Sequence, residues 1–309
     1  MALPIVHHPD YDAKFPAHHR FPMGKYSLLM EALRQRGLVE EAALHVPQPL
    51  APKLLALAHD TTYVDQVLSR SVPAQIEREI GFPVDDRVAR RAHLASSGTL
   101  LAARLALHHG IACNTAGGSH HAKRAHGAGF CTFNDVGVAA SILIAEGVVR
   151  RVLVVDLDVH QGDGTADIFA REPRVFTFSM HAATNYPVRK IPSDLDIALP
   201  DGTGDAHYLA KVAEILPLLL DYARPDIVFY NAGVDPHADD RLGKLALSDD
   251  GLMARDSAVI GFFNERGVPV CGVIGGGYAK DVPALAERHA TLFATAAEFA
   301  GRPAVSADS

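Results

Sequence analysis

The chain has 309 residues, of which 48% are apolar and 21% charged, and its net charge is −7. This is long for one domain but within the range of large α/β domains, and the apolar share supports a sizeable core. The acidic balance argues against a nucleic-acid surface, which needs a basic excess.

In chain order, short apolar runs alternate with amphipathic segments. Strands are predicted at Pro4–His7, Ile111–Thr115, Arg151–Asp156, Arg174–Met180, Asp226–Asn231 and Val268–Ile274. Helices are predicted at Lys25–Arg36, Pro52–Asp60, Asp86–His109, Asp135–Glu146, Ala206–Tyr222, Asp249–Asn264 and Val282–Ala300. Asp135 and Asp249 are read as N-caps, and Gly110, Gly147 and Gly267 as residues that follow helix ends. The alternation implies an α/β fold with an open, mostly parallel sheet and helices on both faces. No linker composition or block of like charge divides the chain, so one domain is expected over 1–300, with a flexible tail at 301–309. Cys113, Cys131 and Cys271 form no CxxC pair and are expected to be buried thiols. The first ten residues lack a leader pattern and no apolar run spans a bilayer, so a cytoplasmic protein without membrane contact is expected.

The stretch Val152-Leu-Val-Val-Asp156-Leu-Asp158-Val-His160-Gln161-Gly162-Asp163-Gly164 is the most informative. It opens as a buried strand and keeps its period of two, so Asp156, Asp158 and His160 share one face. Such a group would repel itself or stay desolvated without a cation among it, and its oxygen and nitrogen donors suit a divalent metal. Three other predicted strands also end in chemistry. Gly117-Gly118-Ser119-His120-His121 follows the first, Asn231-Ala-Gly-Val-Asp235 another, and Gly275-Gly276-Gly277-Tyr278 the last. Each alone has a bland reading as a polar loop, a helix cap or a turn. Their recurrence where strands end, the place at which open α/β sheets bind ligands, is harder to dismiss.

These motifs, with Gly127-Ala-Gly129-Phe130-Cys131-Thr-Phe-Asn134-Asp135 between the first two, resemble the zinc-dependent histone deacetylase family in order and spacing. Gln161 and the run Asp239-Asp240-Arg241-Leu242-Gly243 look most like its class IV-like branch and bacterial relatives. The resemblance covers most of the chain and implies the arginase–deacetylase fold. It also implies zinc held by Asp158, His160 and Asp235, although iron(II) could take the same ligands. It makes His121 the general base, oriented by Asp163, and His120 its protonated neighbour, oriented by Asp156. Tyr278 would donate to the oxyanion, and Gly129 and Phe130 would wall an acyl-lysine channel. A structural potassium ion would take oxygens from Asp156 and Asp158 and from the backbones of His160, Ser179 and Met180.

The implied substrate is an acylated lysine in a protein or peptide, or another acylated amine, with removal of an acetyl or longer acyl group. An acetylpolyamine amidohydrolase would share the catalytic residues; a ureohydrolase would need a second acidic cluster, and a binding module would have lost a ligand or Tyr278. The channel's second aromatic is not evident, with Tyr186 and His181 as candidates, and Asp85 or Asp86 are candidate rim acids, although two acids before a helix are more often its caps. The histidine-rich segment (His7, His8, His18, His19) could bind metal and Lys123, Arg124 and His126 an anion, but both are read by default as solvated loops.

Overall fold

The computed structural model describes residues 2–16 and 19–301; His18 and residues 302–309 of the expected tail lie outside them. Eight strands form one sheet: β1 (Ile5–Val6), β2 (Leu44–His45), β3 (Ile111–Asn114), β4 (Val152–Asp156), β5 (Val175–Ala182), β6 (Leu195–Leu199), β7 (Ile227–Asn231) and β8 (Val270–Val273). Their order is β2-β1-β3-β8-β7-β4-β5-β6, and every pairing is parallel. The central strands β3, β8, β7 and β4 are buried at every position, which is why they read as unbroken apolar runs.

The helices are α1 (Lys25–Gln35), α2 (Pro52–Leu55), α3 (Thr61–Leu68), α4 (Ala74–Ile80), α5 (Asp86–His109), α6 (Asp135–Ala145), α7 (Asp163–Phe169), α8 (Asp205–Ala223), α9 (Asp249–Asn264) and α10 (Val282–Phe299). They pack as two series, α5 with α6 and α7, and α1 with α10, α9 and α8. Both α5 and α10 pack on β3.

The structure corrects several readings. The segment predicted as one helix over Pro52–Asp60 is the single turn α2, a break, and then α3. The break lets His59 enter the core, where it donates from Nδ1 to the Lys123 carbonyl (2.9 Å) and accepts at Nε2 from the Asn134 N–H (2.9 Å). Strands β2 and β6 escaped notice because one has two residues and the other is a half-exposed edge with a polar Asp196. Asn134 and Ser248, not Asp135 and Asp249, cap α6 and α9. The displaced Asp135 accepts instead from Thr99 Oγ1 (2.7 Å) and from the amides of Gly118 (3.2 Å) and Ser119 (2.8 Å), bracing the loop that carries the tandem histidines.

His59 sets an acid limit on stability. Burial holds its imidazole down at about 4 from the ordinary 6.5. A base depressed in the folded state contributes full stability above 6.5 and loses it as pH falls toward 4, a loss of ~3 kcal/mol. Thermal unfolding measured from pH 7 to 4 should therefore fall more steeply for the native chain than for His59→Gln; parallel curves would clear His59 of the effect.

Candidate active site

The four loops singled out in the sequence follow β3, β4, β7 and β8, four strands that are contiguous in the sheet. The pairing puts Asp156 level with Ser179 of β5 on one side and Asn231 of β7 on the other. All the candidate side chains therefore converge over one short stretch of sheet edge.

Asp158, His160 and Asp235 are buried, with donor atoms within 4.8 Å of one another, and among the described residues they make one such cluster. His160 Nδ1 faces Asp158 Oδ1 at 3.0 Å and Asp235 Oδ2 at 3.1 Å. Backbone amides hold the carboxylates in place: Gly276 N–H reaches Asp158 Oδ2 (2.7 Å) and Val159 N–H reaches Asp235 Oδ1 (2.9 Å). Burial and the facing Asp158 charge push the Asp235 carboxyl up. Asp158, despite its own burial, is held well below the usual range by the His120 and His160 imidazoles. Two desolvated carboxylates are aimed at one imidazole nitrogen; among the described residues no lysine or arginine pairs with either, and only the more distant buried Lys25 shares their field, so the group calls for a cation. Carboxylate and imidazole donors fit a divalent ion with an open position.

Gly276 makes this cradle possible. A Cβ there would fall well inside contact distance of Asp235 Oδ2 and 2.6 Å from Asp158 Oδ2. Gly276→Ala is thus expected to weaken metal binding by ~10-fold or more while the chain stays folded. A zinc titration of the metal-free protein followed by calorimetry checks this, and unchanged affinity would refute the crowding argument.

The tandem histidines lie beside the cluster, each with its own carboxylate. His120 Nδ1 donates to Asp156 Oδ2 (2.7 Å), and His121 Nδ1 donates to Asp163 Oδ1 (2.7 Å). Their electrostatics diverge. Burial opposes the charge on His120, yet the Asp156 and Asp158 carboxylates outweigh it and raise the group to about 9. For His121, burial and the neighbouring His120 charge prevail over Asp163 and lower it to about 4. Asp163 also pairs with Lys123 Nζ (3.2 Å), which divides its charge and weakens its pull on His121. The Asp163–Lys123 pair was missed in the sequence, where Lys123 read as a solvated loop residue.

A cavity of about 410 Å³ opens over these groups, with His121, His160 and Tyr278 at its floor. Gly129, Phe130, Tyr186 and Leu242 form its walls, and Arg20, Glu79, Thr184 and Lys244 stand at its exposed end. Gly129 (φ 54°) and Phe130 (φ 67°) are the left-handed tip of a tight hairpin between Ala128 and Cys131. A Cβ on Gly129 would meet His121 Cδ2 at 2.6 Å, so only glycine lets the wall close on the imidazole. Phe82 stacks against Phe130, and Phe21 packs on Phe130 and Tyr278. Of the two candidates for a second aromatic, Tyr186 lines the cavity and stands edge-on to His121 with centroids 4.7 Å apart. His181 is instead buried in β5 against Ser179 Oγ (3.0 Å). Burial, with the Asp158 and Asp235 charges, keeps the Tyr278 phenol protonated.

Ser179 and Met180 lie in β5, next to the end of β4 that carries Asp156. Asp85 caps α5 by accepting from the Val88 N–H (2.9 Å), so the helix-cap reading holds there. His126 pairs with Glu79 (3.3 Å), and Arg124 engages Asp167 and the Ile168 carbonyl. His7 bonds Thr115 Oγ1 (2.8 Å), while His8 and His19 accept from nearby amides. No helix among the described residues is long and apolar enough to cross a membrane.

Residues 19–294 match a family profile described as the histone deacetylase domain. Histone deacetylase 2 of Arabidopsis thaliana is 31% identical over 89% of this chain and 74% of its own. An uncharacterized protein of Picosynechococcus sp. is 47% identical over 94% of this chain and 97% of its own. The crystal structure of an HDAC homologue from Aquifex aeolicus superposes with a TM-score of 0.83 at 26% identity, covering 98% of this chain and 85% of that one.

Proposed function

Since the chain belongs to the histone deacetylase family, whose members are metal-dependent hydrolases of amide bonds in acylated substrates, we propose that it removes an acetyl group from the ε-nitrogen of lysine. The observation that carries this is the buried Asp158–His160–Asp235 cluster at the floor of an aromatic-walled cavity, with two differently poised histidines beside it. We assign the catalytic domain to residues 1–300. Zinc is our choice of metal for the cluster, and potassium for the Asp156, Asp158, His160, Ser179 and Met180 oxygens. A divalent ion on the cluster supplies a Lewis acid that polarises the amide carbonyl and acidifies water.

The chain's own residues do the rest. With Nδ1 committed to Asp163, Nε2 of His121 is the atom available to take a proton from the attacking water. The same atom returns a proton to the departing amine as the C–N bond breaks, leaving acetate and free lysine. His120 stays protonated and offsets the developing negative charge, while the Tyr278 hydroxyl donates to the oxyanion.

Two features narrow the substrate. Behind His120, His121 and Tyr278 lies a void of only about 20 Å³. One water-sized probe occupies ~10–15 Å³, so this favours a methyl over a long acyl tail. At the mouth, Arg20 has no ion-pair partner among the described residues, whereas Lys244 is paired with Asp201 (3.8 Å) and Glu79 with His126 (3.3 Å). The Arg20 cation there repels the extra ammonium groups of an acetylpolyamine, which favours an acyl-lysine. The test is a side-by-side assay of the zinc-loaded protein on acetyl-lysine peptide, myristoyl-lysine peptide and acetylspermidine. Preference for the first is expected. Turnover of the polyamine alone would overturn the substrate assignment, and no turnover of any would overturn the function.

A further inference from the structure

Tyr278 follows three glycines, Gly275 (φ 60°), Gly276 and Gly277 (φ 158°), a run with little conformational preference of its own. A phenol that must meet a developing oxyanion needs its place fixed to a fraction of an ångström, so its order has to come from elsewhere in the fold. It comes from the loop after Asp235. Asp240 Oδ2 accepts the Tyr278 N–H at 2.6 Å, and the next residue, Arg241, donates from Nε to the Tyr278 carbonyl at 2.6 Å. Both main-chain polar groups of Tyr278 are thus held by consecutive side chains. The other oxygen of Asp240 stiffens the loop itself, accepting from the amides of Leu242 (2.8 Å) and Gly243 (2.9 Å). Asn185 then ties the loop to the opposite wall, donating to the Leu242 carbonyl (2.6 Å) and accepting from the Lys244 N–H (3.0 Å). Asn185 directly precedes Tyr186, and Leu242 and Tyr186 both line the cavity.

We propose that Asp240 and Arg241 are positioning residues that clamp Tyr278 by its backbone and join it, through Asn185, to the walls of the channel. Neither touches the metal cluster or the reacting atoms; they act through Tyr278. The inference rests on Tyr278 serving as the oxyanion donor, and it makes the channel wall and the placement of that donor one piece of structure.

The test uses the full zinc-loaded chain carrying Asp240→Ala, Asp240→Asn, Arg241→Ala or Arg241→Lys, alone and with Tyr278→Phe. The alanine variants should lose ~30-fold in kcat with KM and zinc content little changed. Asparagine and lysine, which retain an acceptor and a donor, should recover part of that loss. In the Tyr278→Phe background the same alanine changes should cost under ~3-fold, because the group they position no longer donates. Equal losses in both backgrounds, or a loss of zinc, would overturn the clamp and leave a general structural role. A crystal structure of Asp240→Ala reads the idea without turnover. A displaced Tyr278 ring supports it and an unmoved one refutes it, even if the native chain proved inert toward every acyl-lysine and the function reading itself failed.

Discussion

Tyr278→Phe is expected to keep its fold and its zinc yet turn over acetyl-lysine ~100-fold more slowly. The phenol is buried, stays protonated beside the Asp158 and Asp235 charges, and faces the cavity floor. An oxyanion donor in a site that excludes water contributes ~3 kcal/mol to the transition state and little to the ground state. The loss should therefore fall on kcat, with KM within a few-fold. The ring remains, so its packing against Phe21 and Phe130 survives and the thermal midpoint should barely move. Steady-state kinetics with zinc analysis on the same samples decides the matter. A variant that matched the native rate would remove Tyr278 from the mechanism.

Asp235→Ala should have the larger effect, abolishing measurable turnover by removing the metal itself. Asp235 brings one of three donors, and its carboxylate also accepts from the Val159 amide, between the other two. Deleting it costs a charge and a ligand and loosens the loop that presents His160. Stability should respond in the opposite direction. The metal-free native chain carries two buried carboxylates with only His160 between them, so losing one relieves repulsion. We therefore expect the metal-free variant to unfold no earlier than the metal-free native chain, while zinc raises the melting temperature of the native chain alone. Full zinc occupancy in Asp235→Ala would contradict the ligand assignment.

The residues to which we assign the chemistry were legible because chemistry constrains them in sequence. Asp156, Asp158 and His160 stand out against a buried apolar strand by alternation alone, and the four central strands announced themselves by unbroken burial. What stayed hidden is the support, which has no local signature. Asp135 looked like a helix cap because an acid before an apolar run usually is one; that it instead grips the amides of Gly118 and Ser119 depends on how α6 meets the β3 loop. Lys123 and Asp240 are ordinary polar loop residues until the fold brings them to Asp163 and Tyr278, 40 and 38 positions along the chain. The break at His59 was equally unreadable, since its partners, Lys123 and Asn134, lie more than 60 residues away.

The candidate reactive groups all hang from four adjacent strands, whereas much of the mouth comes from elsewhere, Arg20 from the segment before α1, Glu79 from α4 and Tyr186 from the crossing after β5, joined by Lys244 from the loop that carries Asp235. Arg20 and Glu79 are consequently carried by lengths of polypeptide that hold none of the candidate reactive groups, whereas Tyr186 is tied to them through Asn185 and the Asp240 loop. Exchanging the Arg20 and Glu79 segments between relatives should therefore shift the choice of acylated amine with little change in turnover, whereas exchanging the Tyr186 segment should alter both.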